Sequence, residues 1–327
     1  MTPAELMELK GYLAPWNPAD GSETARRSNA DESSFQTNLG TIPAELNGLP
    51  FEPGFESWKP LSFTDRGDNN TFRMILGNEI AVKAAETGSI SPWPDGARFA
   101  KIAWQQEKGE DGLVYPGRFV QVEFMVKQAA QYRDTDGWGW GRWRGLNLKP
   151  YGTGSHFVAE CTGCHAPVRG DDFVYTLAIT TAKSGRQEAV NNGAAALPQS
   201  LPYLPLQWTA ITMFVDPKTR TMSTLFGNDI AVQAVRNRGG NFGKPPAYPV
   251  GSVIALLTWA QREDPHWFGG RIPDRPVSVE FAEMDASSKV RSYRHFDGPM
   301  LQERTAPAEE VARRTSFLMS LVPATLP

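Results

Sequence analysis

Four stretches of the chain, Ala97–Gln105, Phe119–Met125, Ser252–Ala260 and Pro276–Glu283, are apolar and rich in β-prone residues, with their few polar positions spaced so that they read as alternating strand segments. Such alternation places successive side chains on opposite faces of a strand, so each stretch predicts β-structure. The same signals precede each pair of stretches: a β-prone run ending in Gly77-Asn78 or Gly227-Asn228, then a short helix from Ile80 or Ile230. Gly137 to Trp143 adds an aromatic strand whose three tryptophans predict structural packing. At the N-terminus, Thr2-Pro3-Ala4-Glu5 combines an N-cap, a first-turn proline and a capping-box glutamate, predicting a short helix through Leu13. At the other end, Ala306–Leu321 carries Glu309 and Glu310 early and Arg313 and Arg314 later, which suits a helix dipole and predicts a helix docked on the second half. Between Ala14 and Pro50, Asn, Ser, Pro, Gly and charge dominate, and an extended arm with little core is expected.

The two halves also match residue by residue. Trp58, Thr71, Gly77-Asn78 and Ile80-Ala81-Val82 recur as Trp208, Thr221, Gly227-Asn228 and Ile230-Ala231-Val232, 150 positions on. Trp93 through Trp104 returns as Tyr248 through Trp259 at an offset of 155, and Val122-Glu123-Phe124 as Val279-Glu280-Phe281 at 157. The period is too long for a solenoid and points to a duplicated domain, with small loop insertions producing the drift. The expected organisation is α+β: an N-terminal helix and arm over 1–50, a first domain over 51–183, a linker over 184–200 and a second copy over 201–327. Each copy is read as a mainly antiparallel β-sheet with flanking helices.

A net charge of −3 without a local Lys/Arg cluster argues against nucleic acid as a partner. No apolar run approaches the roughly 20 residues of a membrane-spanning helix. Met1 to Trp16 carries Glu5, Glu8 and Lys10 where an export signal needs an apolar segment, so no signal peptide is read there.

The two cysteines lie three positions apart in Cys161-Thr162-Gly163-Cys164-His165. This is the spacing at which two thiols add to the vinyl groups of one haem while the adjoining imidazole ligates iron, so it predicts covalently attached haem c with His165 as the metal ligand. That attachment places the protein in the periplasm. A redox CxxC leaves His165 without a role, and a zinc site needs further ligands from His156, His266 or His295. For the sixth iron position, Met74, Met125, Met213 and the other histidines are all open in sequence.

Lys101 falls between Phe99 and Ala103 on one strand face, opposite Ala100, Ile102 and Trp104. It either snorkels to solvent or, if buried, becomes a nucleophile. Its counterpart in the second copy is Leu256, and that of Arg73 is Ser223, so both residues accompany the cysteine motif. Trp93-Pro94-Asp95-Gly96, Lys101, Phe119–Phe124, Gly137–Trp143, the CxxCH run and Asp172–Thr176 together resemble cytochrome P-460 and its relative cytochrome c′-beta. The resemblance implies an antiparallel fold with a five-coordinate haem, Cys161, Cys164 and His165 holding it, and Lys101 as an additional cross-link to the porphyrin. It leaves three functions open: hydroxylamine oxidation with Lys101 and Arg73 in the catalytic site and a cytochrome c as electron acceptor, non-enzymatic binding of nitric oxide or carbon monoxide, and electron transfer. For a proton acceptor the choice is among Asp95, Glu123, Asp171 and Asp172. Family members pair as dimers, so the second copy is expected to stand in for the partner subunit, making a monomeric pseudo-dimer.

Overall fold

A computed structural model describes residues 42–180, 191–238 and 243–327. The helix expected from Thr2 and most of the arm lie outside the described residues, as do residues 181–190 of the expected linker.

Twelve antiparallel strands and four α-helices build the described part, as the α+β reading expects. The first half runs β1 (Lys59–Arg66), β2 (Thr71–Gly77), helix α1 (Glu79–Thr87), β3 (Arg98–Lys108), β4 (Val114–Lys127), β5 (Trp138–Arg144), β6 (Lys149–Pro150) and helix α2 (Val158–His165). The second runs β7 (Thr209–Asp216), β8 (Thr221–Gly227), helix α3 (Asp229–Arg236), β9 (Val253–Glu263), β10 (Gly270–Met284), β11 (Val290–Asp297), β12 (Gln302–Arg304) and helix α4 (Ala308–Ser320).

The recurring Gly-Asn pair has one physical role in both halves. Asn78 Oδ1 accepts from the amide of Ala81, 3.0 Å, and from that of Arg98, 3.1 Å, while its Nδ2 donates to the Gly96 carbonyl, 2.8 Å. Asn228 repeats all three bonds with Ala231, Val253 and Gly251 at 3.1, 3.2 and 2.9 Å. One amide thus caps the helix and pins it to the start of the next strand, a cap worth about 1 kcal/mol.

The halves join at both edges. Val114 of β4 pairs with Val215 of β7, and Arg271 of β10 pairs with Asp65 of β1. Adding 157 to Val114 and subtracting 150 from Val215 converts the first contact into the second, so the two seams are related by the internal repeat. Eight strands therefore close a ring, and both halves share its interior: Phe63, Ile102, Trp104 and Phe124 pack in one cluster with Met213, Phe226, Trp259 and Phe281. Asp65 links the halves by accepting from Gln106, 2.6 Å, and Gln261, 2.9 Å.

The end of the arm, where little core is expected, and part of the expected linker both pack into the fold. Leu49 is 2% exposed, and the buried Glu45 carboxylate accepts the amide of Arg142 at 2.9 Å. Asn191 and Asn192, in the expected linker, are buried as well, and Asn192 donates to the Pro273 carbonyl at 2.6 Å. Their irregular sequence hides this, because the anchoring is done by single polar side chains rather than by a periodic face.

The aromatic strand β5 needs its glycines. A Cβ on Gly139 would stand 2.5 Å from the Tyr132 ring, and one on Gly141 would stand 2.6 Å from Trp143 and 2.8 Å from Leu49. The rings occupy the space that side chains would fill elsewhere.

Candidate cofactor site

On the outer face of the first-half sheet lies a cavity of about 370 Å³, bordered by β2, β3, β4, β5 and α2. This is the size range of small-molecule and cofactor sites. Phe99, Lys101 and Ala103 face it, whereas Ala100, Ile102 and Trp104 face the shared core, as the strand alternation predicts.

Helix α2 carries Cys161, Cys164 and His165 three and four positions apart, hence on one side. None of its residues is fully buried, and all three of these line the cavity. Both cysteines are free thiols. The Nδ1–H of His165 donates to the Phe173 carbonyl at 2.7 Å, which leaves Nε2 with the lone pair a metal requires. Rings of Trp140 and Tyr175 contact the imidazole edge-on at 4.7 and 5.1 Å, and the Tyr175 hydroxyl donates to the Cys164 carbonyl at 2.7 Å. Burial pushes the His165 pKa down to about 4 against the opposing bond to Phe173, so the ring is neutral at physiological pH.

Across the sheet, Lys101 and Glu123 are cross-strand partners and form an ion pair. The other oxygen of Glu123 accepts from Arg142 Nε at 2.6 Å. Lys101 keeps 30% of its side-chain surface and lines the cavity. Burial pushes its ammonium well below the usual lysine range, and the Arg73 and Arg142 charges act in the same direction. Burial likewise brings Arg73 down to about 9, with Arg66 adding to the effect. Among the described residues Arg73 has no ion pair; its guanidinium lies 5.5 Å from the centre of the Trp267 ring.

The residues present fit a haem. Trp140 Nε1 and Arg144 Nε border the cavity as buried donors without a partner among the described residues, a state that native structures rarely leave unexplained. A helix with thiols and a neutral imidazole turned to a cavity lined by aromatic and cationic groups suits a flat apolar ring with anionic edges. Residues 52–176 match the family model Cytochrome P460. This segment, and not the rest of the chain, is similar to the cytochrome P460 family. No curated protein matches the chain. The likeness of this segment to the cytochrome P460 family supports a haem cofactor, and no helix among the described residues is long and apolar enough to cross a membrane.

The structure brings Cys161, Cys164, His165, Lys101 and Arg73 to one cavity. Of the four carboxylates considered as proton acceptors, only Glu123 borders the cavity. Asp95 accepts the Ala129 amide at 2.8 Å, and Asp172 accepts from Trp93 and Lys127, each at 2.8 Å, so both fasten loops. Met74 and Met213 are in the shared core; Met125 borders the cavity. His266 Nδ1 contacts the Tyr175 carbonyl at 3.0 Å, and His295 lies in the second half on β11.

What sequence reasoning missed is the contribution of the second half, from which Asp264, Trp267 and Ile272 line the cavity. The equivalent place in the second half is filled. Leu256 and Glu280 occupy the register positions of Lys101 and Glu123. There α4 supplies Leu318, with no exposed surface, and Arg314, whose guanidinium binds the Glu280 carboxylate at 2.9 and 2.5 Å. Glu280 is 2% exposed. Arg314→Leu is expected to cost about 3 kcal/mol in chemical unfolding, because it removes the counter-ion of a buried carboxylate and leaves it only the Tyr293 hydroxyl, which donates to it at 2.6 Å. Glu280→Leu with Arg314→Leu is expected to recover most of that loss.

Proposed function

We propose that the cavity holds one haem joined through thioethers to Cys161 and Cys164, with His165 Nε2 as iron ligand and Lys101 as a further link to the porphyrin. The site's function on this reading is to bind and oxidise a small nitrogen-oxide species such as hydroxylamine, passing electrons to a cytochrome c. The observation that carries the proposal is the convergence on one cavity of both thiols, an imidazole whose Nδ1–H is taken by the Phe173 carbonyl, and the Lys101 side chain.

When bound, the haem supplies an open coordination position and takes up electrons. The chain's own groups do the rest. The Phe173 carbonyl orients His165 and raises its donor strength. Arg73 offers a positive charge to an anionic or polar ligand, Glu123 accepts a proton, and Arg142 holds Glu123 in place. Periplasmic location follows from the attachment chemistry, and the second half takes the part of a partner subunit within a monomer.

The ferrous absorption spectrum tests the lysine. A cross-linked haem has a strongly red-shifted Soret band, and Lys101→Leu is expected to return it to the position of an ordinary c-type haem. A mass spectrum of the haem peptide is expected to include the Lys101 peptide in the wild-type chain. A spectrum that is the same in Lys101→Leu and wild type counts against the link. Binding of carbon monoxide without turnover of hydroxylamine favours the gas-binding reading instead.

A further inference from the structure

The drift in repeat offset from 155 to 157 has a definite location. Lys108 pairs with Val114 across the first hairpin, and Glu263 with Arg271 across the second, so the turn 109–113 corresponds to 264–270. The second turn is two residues longer, and it is this turn that enters the cofactor cavity of the other half. The shorter one, Gly109-Glu110-Asp111-Gly112-Leu113, faces the filled site, where Leu113 and Tyr115 pack on the second half's outer cluster. Each turn is thus fitted to the site it faces, not to the half that carries it.

The long turn is fastened at several points. The Asp264 amide donates to the Gly270 carbonyl at 2.8 Å, and the Asp264 carboxylate accepts the His266 amide at 2.9 Å. Gly269 has φ +76°, and a Cβ there would stand 2.9 Å from Asp68. Trp267 is held in this way against three first-half side chains. Its ring lies 4.3 Å from the Arg66 guanidinium, 5.5 Å from that of Arg73, and 5.5 Å from the Tyr175 ring. Arg66 has Asp68 as its counter-ion, at 2.6 Å from Nε, whereas Arg73 faces the cavity with the indole as its lateral support.

We infer that Trp267 is a positioning residue for the cofactor site: from the half without a haem motif, it holds the Arg73 guanidinium facing the cavity that would take the haem. The inference rests on the haem reading for its functional part and on geometry alone for the clamp. An aromatic face fixes a guanidinium without neutralising it, which keeps the full charge available to the ligand.

The clamp is tested first on the protein without haem. Chemical unfolding of Trp267→Leu, Arg73→Leu and the double variant is expected to show coupling, the double variant losing clearly less than the sum of the two single losses. Full additivity overturns the clamp whatever the haem does. The functional part is read on protein giving a complete pyridine haemochrome. Trp267→Leu is expected to weaken nitric oxide or carbon monoxide binding about tenfold, the scale of one desolvated cation–π contact, and to raise the C–O stretching frequency of the carbon monoxide complex. Trp267→Phe is expected to restore both to within about twofold, since it keeps a ring under the guanidinium. Arg73→Leu is expected to give the same shift, with no further change in the double variant. Wild-type affinity and frequency in Trp267→Leu overturn the positioning role. A wild-type chain without a haemochrome overturns the haem reading and leaves the unfolding result to decide the clamp.

Discussion

Serine at both Cys161 and Cys164, in a chain that also carries Lys101→Leu, is expected to release all haem into acidified organic solvent. Each thiol can form one thioether, and α2 turns both toward the same cavity, so either single cysteine is expected to retain haem on a denaturing gel. The chain with Lys101 intact and both cysteines replaced separates the two kinds of attachment. Haem retained there is held by Lys101 alone; complete release there shows that the lysine link depends on the thioethers for its geometry. Full retention in the triple variant counts against every covalent contact proposed. His165 is unchanged in these variants, so reconstituted, non-covalently bound haem remains a control for an intact pocket.

Glu123→Gln is expected to lower hydroxylamine oxidation by 10²- to 10⁴-fold, the usual range for a positioned acid or base, while carbon monoxide affinity changes little. Glutamine keeps the shape of the side chain and an oxygen for Arg142, which now binds at 2.6 Å, but takes no proton at neutral pH. The ferrous spectrum of this variant is needed alongside the rate, because Glu123 is also the ion-pair partner of Lys101. A normal red-shifted band with lost turnover assigns the effect to proton transfer; a band shifted back assigns it to the lysine link. Turnover within about tenfold of wild type removes Glu123 from the base position.

The features legible in the sequence are those that local rules determine. Strand alternation placed Lys101 on the face it occupies, and the paired Gly-Asn signals marked a hydrogen-bonded clasp that recurs in both halves. The CxxCH run fixed its own geometry because three side chains at helical spacing share one side of α2. Other features depend on contacts between segments far apart in the chain. Trp267 meets Arg66 across about 200 positions, and Arg314 meets Glu280 from a helix whose sequence shows only a dipole pattern. Neither has a local signature. The offset change from 155 to 157 was the one visible trace of the long turn, and without a fold it had no address. Leu49 and Glu45 were hidden for a different reason: a segment without periodicity can still be core when single side chains reach into it.

The unequal turns also bear on how such a protein can change. In a dimer of identical subunits every substitution is made twice, at both symmetry-related sites, so a residue that improves one pocket is imposed on its twin. Here two seams related by the repeat, and an interior shared by both halves, lie within one continuous chain. Each position is inherited separately. One turn could lengthen to reach a cofactor while its counterpart stayed short, and one cavity could be surrendered to a helix without loss of the other. A repeat carried within one chain lets its halves specialise, and an altered turn in either half can be selected without altering its mate.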